Sequence, residues 1–244
     1  MAGYFAKIRK PLEPASILIG ADSVGVVFRR HAMARRMVLR LNPEGTAVVV
    51  TVPGHATRGQ ALDFTERSRA WIAEKLGQRG ETITLQPGSL VPLRGVMHGI
   101  RPSSSRRGTV TVDPVAHVIH VPGDAPHVSR RLTDWFKLTA RAELTAASRK
   151  YAEAMGVTFT RVSIRDQRSR WGSCSAAGVL SYSWRLILTP PEVLDYVAAH
   201  EVAHLRHMNH GPRFWRLVLT HCPHAARAKK WLKAEGQSVH RIVV

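Results

Sequence analysis

The sequence predicts an α+β fold in which an amino-terminal β-rich region is followed by a more helical half. Short β-branched runs separated by Pro and Gly turns dominate residues 24–121. Apolar residues at helical spacing then run from Ser129 to Met155. A β-hairpin is predicted around Gly178, directly before a helix that carries His200 and His204. The predicted fold therefore packs this hairpin near the HExxH helix.

A Pro/Gly-rich segment separates the two halves. The run Pro122-Gly123-Asp124-Ala125-Pro126 has the composition of a linker. It predicts two domains, with a β-rich amino-terminal domain containing one helix at residues 1–125 and a second domain at residues 126–244.

The first half is predicted to contain a hairpin, a helix and several further strands. Met37 to Leu41 and Thr46 to Val52 flank the turn Asn42-Pro43-Glu44-Gly45. Thr57 to Leu76 has the spacing of a helix that Gly77 ends. Further strands are predicted at Val24–Arg29, Thr82–Leu85, Leu90–Leu93, Met97–Arg101, Thr109–Val112 and His117–Val121.

The second half begins with the long helix Ser129 to Met155, which Gly156 ends. Val157 to Ile164 alternates as a strand, and Val179 to Leu188 is the returning strand of the hairpin. Thr189-Pro190-Pro191-Glu192 fits a capping box with proline in the first turn of the next helix. Shorter helices are predicted from Pro212 and over Ala225–Ala234, the latter ending at Gly236.

The spacing of histidines in this half predicts a metal site. His200 and His204 are four residues apart, so on an α-helix both can face one metal ion. Catalytic zinc usually takes three protein ligands and keeps a fourth position for water. His210 can supply the third ligand, because the composition of residues 209–212 predicts a turn. Glu201 can accept the proton of that water and pass it to a leaving amine.

Three other side chains remain alternatives as ligands. His207 is a rival third ligand, but on a continuing helix it lies only three residues past His204 and points along the axis, which favours His210. Cys174 and Cys222 are also metal-ligand types, although single cysteines are more often small buried side chains.

The charge of the chain is strongly positive. Lys and Arg total 36 against 17 Asp and Glu, a net charge of +19, which favours an anionic partner such as DNA or another polyanion. A solvated Arg-rich surface is the alternative. The densest cluster, expected to contact phosphates, is Arg29, Arg30, Arg35, Arg36 and Arg40.

The sequence also bears on location. No segment is long and apolar enough to predict a membrane span, and no targeting signal is visible, so a cytoplasmic protein without a membrane partner is expected. Two cysteines are too few for a disulfide framework. The oligomeric state is not indicated.

Four segments carry a resemblance to a known family: Arg168–Cys174, Leu186–Pro191, Asp195–His204 and Asn209–Trp215. The chain resembles the YgjP-like metallopeptidases, which are related to the SprT-like and WLM zinc proteases. The resemblance implies a zincin-like catalytic domain, with His200, His204 and His210 as zinc ligands and Glu201 as general base. His207 stands where metzincins have glycine, and no methionine turn is evident, so metzincin membership is rejected.

These observations predict a zinc metalloendopeptidase that hydrolyses peptide bonds in proteins, including substrates associated with nucleic acid. The hairpin would edge the cleft, and Gly172 would allow a close approach of another backbone. Candidates for stabilising the oxyanion are Tyr182, Arg185 and His207, with no basis for choosing among them. The alternative function is a basic nucleic-acid-binding protein whose zinc site is structural.

Overall fold

The structure is a computed structural model that describes residues 12–42, 47–77, 82–103, 105, 107–167 and 170–243. The chain forms two compact units, Met1–Gly80 and Glu81–Val244. Residues 43–45 of the predicted turn Asn42-Pro43-Glu44-Gly45, and the predicted first strand residue Thr46, lie outside the described residues. None of the helices in the described part of the chain combines the length and apolar composition that crossing a bilayer requires.

The first unit contains a four-stranded sheet in the order β1-β2-β4-β3. The strands are β1 (Ala15–Ile19), β2 (Asp22–His31), β3 (Val38–Leu41) and β4 (Ala47–Pro53). β3 and β4 pair antiparallel, as predicted for a hairpin, whereas β2 and β4 pair parallel. The predicted helix is two helices, α1 (Arg58–Arg67) and α2 (Arg69–Gly77), because the chain leaves helical geometry at Ser68.

Alternation along the strands separates a core face of this sheet from an outer face. Val26, Phe28 and Val50 are buried in a cluster that also includes Ala61 and Ile72 of the two helices. Helix α1 begins with a capping box, in which the Thr57 side chain accepts from the Gln60 backbone and the Gln60 side chain accepts from the Thr57 backbone. The two helices therefore pack on the core face.

The second unit begins with a short strand, β5 (Ile83–Thr84), and a four-stranded sheet in the order β6-β7-β9-β8. Its strands are β6 (Leu90–Leu93), β7 (Val96–Ser103), β8 (Thr111–Asp113) and β9 (Val118–Pro122). The inward residues Val91, Ile100 and Ile119 join one core cluster with helix α3 (Ala125–Met155). Gly156 ends α3 in the left-handed conformation, as expected for a helix-terminating glycine.

This packing bears on the predicted domain boundary. The compact units divide at Gly80 and Glu81, whereas the composition of residues 122–126 places a boundary at residue 125. Only Gly123 and Asp124 lie between β9 and α3, and both elements contribute to the same apolar core. The division of the chain into domains 1–125 and 126–244 stays a prediction.

Helix α3 is followed by a three-stranded sheet in the order β10-β12-β11. Its strands are β10 (Arg161–Arg165), β11 (Gly172–Cys174) and β12 (Val179–Ser183). The predicted hairpin is present, because β11 and β12 pair antiparallel through the turn at Gly178. The chain then leaves the sheet earlier than predicted, forming a fully buried 3-10 helix at Trp184–Leu188.

The helices α4 (Pro191–Ala203), α5 (Pro212–His221) and α6 (Ala225–His240) follow, and β13 (Ile242–Val243) pairs parallel with β5. Helix α4 begins at Pro191 after the cap residue Pro190, and no side chain caps it, so the predicted capping box is wrong. The Thr189 hydroxyl instead donates to the Leu186 carbonyl.

Gly236 does not end α6, since it lies buried within the helix, where a Cβ atom would approach Trp171 to 3.2 Å.

Candidate metal centre

Helix α4 positions the first two histidines. Most of its length is buried, with Val193, Ala198 and Val202 completely inaccessible to solvent. Proline in the first turn and good apolar packing favour this helix without a capping side chain. His200 lies in the last turn, and His204 follows the last helical residue while keeping helical backbone angles. The two imidazoles therefore keep the one-turn spacing that the sequence predicts.

The third histidine returns to the same place. After Ala203 the chain makes a tight turn, in which the backbone of Leu205 donates to the Val202 carbonyl at 3.0 Å. One donor atom from each of His200, His204 and His210 lies within 4.8 Å of the others. His200 Nε2 and His210 Nε2 are 3.0 Å apart. Three imidazoles from the helix and the following turn thus converge on one point.

Polar groups lie next to Nδ1 of His200 and of His204, which leaves Nε2 of each ring available to bind a cation. His204 Nδ1 lies 3.0 Å from the His207 carbonyl oxygen, so Nδ1 carries the proton and Nε2 offers a lone pair. The Tyr196 hydroxyl lies 3.5 Å from Nδ1 of His200. Burial, together with His204 and His210, lowers the pKa of His200 to about 3. The lowered pKa of His200 and the free Nε2 lone pair of His204 fit a divalent metal ion, since metal-bound histidine must be unprotonated.

The role of His207 differs from the one considered from the sequence. Helix α4 ends at Ala203, so His207 does not lie on a continuing helix. Its backbone carbonyl accepts the hydrogen bond from His204, whereas the group of converging donors is formed with His210. His207 therefore orients the imidazole of His204 through its main chain.

Glu201 lies beside the histidines with only 6% of its surface exposed. Burial raises the pKa of its carboxyl group to about 8, and the positive charge of Arg170 opposes this rise. A cation held by the histidines would, like Arg170, oppose this rise in the pKa of Glu201, because opposite charge favours the ionised form. The carboxylate is thus placed where it can exchange a proton near neutral pH.

The hairpin contacts Glu201 directly. An added Cβ atom on Gly172, the first residue of β11, would lie 2.6 Å from Glu201 Cγ and 2.6 Å from its Oε1. Real side chains do not tolerate such distances, so only glycine allows the strand to lie against the carboxylate in this arrangement. The sequence predicts a close backbone approach at Gly172, and the neighbour in the structure is the candidate base.

An aromatic side chain that the sequence analysis did not single out supports the three imidazoles. Phe214 on α5 is completely buried, and its ring centroid lies 4.9, 4.6 and 4.8 Å from those of His200, His204 and His210. Such contacts restrict ring orientation. Its position four residues after His210, within a helix opened by proline, is the sequence signal that identifies it.

Two of the three side chains considered for oxyanion stabilisation, those of Tyr182 and Arg185, have other partners. Tyr182 is buried, with its hydroxyl 2.9 Å from that of Ser148. Arg185 is also fully buried, where it donates to Asp166 and, at 3.0 Å, to the Ile242 carbonyl. The oxyanion donor stays unassigned.

A helix-borne HExxH segment completed by a third histidine, in an α+β structure, is a zincin-like metal centre. This is the site of a metallopeptidase. The YgjP-like metallopeptidase domain matches residues 35–235. The chain therefore belongs to the YgjP-like metallopeptidase family, whose members are hydrolases of peptide bonds.

Comparison with solved structures adds one weak similarity. The crystal structure of the metallopeptidase zymogen of Pyrococcus abyssi abylysin is 22% identical, with a TM-score of 0.35. The alignment covers 41% of this chain and 99% of that chain. No curated protein matches the chain.

Replacing His210 by Ala should weaken metal binding by at least about 100-fold, because one of the three converging imidazoles is lost. Replacing His207 by Ala should leave metal binding near the wild-type level, because the carbonyl that orients His204 is retained. Metal content after dialysis against a competing chelator measures both effects. Equal losses in the two variants would contradict this assignment of the third ligand.

Proposed function

We propose that this protein is a zinc-dependent metalloendopeptidase, with His200, His204 and His210 as ligands and Glu201 as the general base. The observation that carries the proposal is the convergence of three imidazole donors within 4.8 Å beside a buried carboxylate. A structural zinc site usually has four protein ligands, whereas this set of three imidazoles suits a site that also accepts water or substrate.

The choice of zinc rests on the donors. Imidazole nitrogen suits zinc better than magnesium or calcium, which prefer oxygen. The 3.0 Å separation of the His200 and His210 nitrogens is close to the roughly 3.3 Å expected for two nitrogens on a tetrahedral zinc ion. These two imidazoles therefore need only small side-chain movements to bind one ion.

The chemistry divides between the ion and the protein. A bound zinc ion supplies Lewis acidity that polarises a carbonyl group and lowers the pKa of water. Glu201 accepts a proton from the attacking water and then donates it to the nitrogen of the leaving amine. Its buried position keeps solvent from competing for that proton, and its contact with Gly172 limits where the carboxylate can move.

The sheet next to the site offers a way of binding a protein substrate. Among the described residues, β11 is an edge strand, paired with β12 on one side. An extended peptide can pair with such an edge through main-chain hydrogen bonds. Because Gly172 of β11 lies against Glu201, a peptide added there would pass close to the candidate base. This geometry suits cleavage within an extended chain.

Replacing Glu201 by Gln should reduce the rate of peptide hydrolysis by about 10²-fold to 10⁴-fold, the usual contribution of a general base. Zinc content should remain unchanged, because the histidines are retained. Cleavage of an unfolded protein and elemental analysis measure the two properties. Wild-type hydrolysis by this variant would reject the role of Glu201, and absence of hydrolysis by the zinc-loaded wild-type protein would favour a structural zinc site.

Replacing Gly172 by Ala should lower kcat/KM by about 10²-fold, because the added methyl group displaces the Glu201 carboxylate. Zinc content should again be retained. The matched control is Ser173→Ala, which changes the next side chain of the same strand, on its opposite face. A Gly172→Ala variant as active as this control would show that the close contact does not position the carboxylate.

We further propose that the first unit binds a polyanion such as DNA, which would bring the peptidase to substrates associated with nucleic acid. Arg29 on β2 and Arg40 on β3 occupy equivalent outward positions, because the register places Arg29 opposite Thr51 and Arg40 opposite Val49. Arg35 and Arg36 are exposed in the connection between these strands.

One arginine of the predicted cluster has a structural role. The Arg30 guanidinium donates to the carbonyls of Gly54 and Ala56 at 3.1 and 3.0 Å. The proposed polyanion-binding surface therefore consists of Arg29, Arg35, Arg36 and Arg40.

DNA binding should weaken steeply with salt, and the double variant Arg29→Gln/Arg40→Gln should reduce the slope of log K against log [salt] by about 2. Arg67→Gln is the control, since Arg67 is exposed on α1, which packs on the opposite face of the same sheet. Fluorescence anisotropy over a range of salt concentrations measures the slopes. An unchanged slope in the double variant would contradict this surface.

A further inference from the structure

A second group of metal-ligand side chains lies apart from the three histidines. Asp195 on α4 and both Cys222 and His224, in the turn between α5 and α6, bring a carboxylate, a thiol and an imidazole within 4.8 Å of one another. Cys222 is completely buried, and the other two are partly buried. Three ligand types from two segments thus converge beneath the helix that carries the first site.

The distances in this group are those of a compact coordination site. His224 Nε2 lies 3.3 Å from Cys222 Sγ and 3.1 Å from Asp195 Oδ2. On a tetrahedral zinc ion, donors of these types are roughly 3.3 to 3.6 Å apart. Outward movements of a few tenths of an ångström would therefore place all three around one cation, without any change in the fold.

Two neighbouring side chains contact the Asp195 carboxylate, the Tyr151 hydroxyl and the Lys150 ammonium group, and the latter could compete with a cation for it. The Tyr151 hydroxyl on α3 donates to Asp195 Oδ2, so it orients the carboxylate next to the proposed position of the ion. Lys150 Nζ lies 3.1 Å from the other oxygen, Oδ1. This lysine is 63% exposed, so it can remain at Oδ1 or turn into solvent while Oδ2 binds a cation.

The group is separate from the first site. Asp195 precedes His200 by five residues and His204 by nine, which places it roughly 140° and 180° around the helix axis from them. The two sets of ligands therefore face opposite sides of α4. An ion bound at Asp195 would be held by the thiol of Cys222, which the first set of ligands lacks.

We propose that Asp195, Cys222 and His224 form a second metal site, selective for a thiophilic divalent cation such as zinc. Binding releases the proton of the Cys222 thiol to solvent, because the thiolate is the ligand. The ion would link α4 to the α5–α6 turn and so hold the elements on either side of the first site. Three protein ligands leave the fourth position of this ion to water, and the proposal does not depend on the peptidase proposal.

Cobalt(II) distinguishes the two sites, because a thiolate ligand produces a sulfur-to-cobalt charge-transfer band that histidine ligands do not. The metal-free wild-type protein, titrated with cobalt, should develop this band in the near ultraviolet, and elemental analysis should find a second equivalent of metal. Cys174→Ser should retain the band, whereas Cys222→Ser should lose it. Circular dichroism reports whether each variant is folded.

Because Cys222 is buried and its replacement can unfold the protein, His224→Ala provides the second test. It should weaken cobalt binding at this site by at least about 100-fold. His221→Ala is the matched control, because His221 directly precedes Cys222 at the end of α5 but its side chain is not one of the three in the cluster, and this variant should bind as the wild type does. The proposal is overturned if the wild type shows no band, if the band disappears in Cys174→Ser, or if folded His224→Ala retains wild-type cobalt affinity.

Discussion

The burial of helix α4 is the constraint on which the rest of the site depends. Its residues Ala198, Ala199 and Val202 are inaccessible to solvent and pack within the main apolar core. Burying Glu201 and two histidines on such a helix is unfavourable unless they gain compensating interactions. The chain meets this requirement locally, through the hydrogen bond of His204 to a main-chain carbonyl and the return of His210. Stability of the helix and reactivity of the site are thus properties of the same packing.

Much of this site can be predicted from the sequence, because residues close together in the chain form it. The i, i+4 spacing of His200 and His204 is a helical periodicity, which geometry converts directly into a shared face. Gly211 and Pro212 predict the turn that brings His210 back to the site, since neither residue suits a continuing helix. The long helix α3 and the antiparallel β11–β12 pair are predicted equally well, because local patterning determines both.

Features that depend on distant partners are not predictable in this way. A glycine at position 236 suggests a helix end, yet Gly236 lies inside α6. Glycine is present there because Trp171 occupies the space that a side chain would need. The segment Trp184–Leu188 has the apolar composition of a strand, but it forms a 3-10 helix. Its burial between other elements, which the local sequence does not reveal, decides between the two conformations. Likewise, the approach of Gly172 to Glu201 and the meeting of Asp195 with Cys222 join residues far apart in the chain, where spacing carries no information.

The pairing of β5 with β13 affects how the second unit can be connected to other polypeptide segments. These are the first and last strands of that unit, and Ile83 lies directly opposite Ile242. Arg185 reinforces the contact from within the core by donating to the Ile242 carbonyl. Entry and exit of the polypeptide are therefore adjacent, an arrangement that favours circular permutation and insertion of a unit into a surface loop of another protein. A peptidase module of this kind can be joined to a host through both of its ends at a single point.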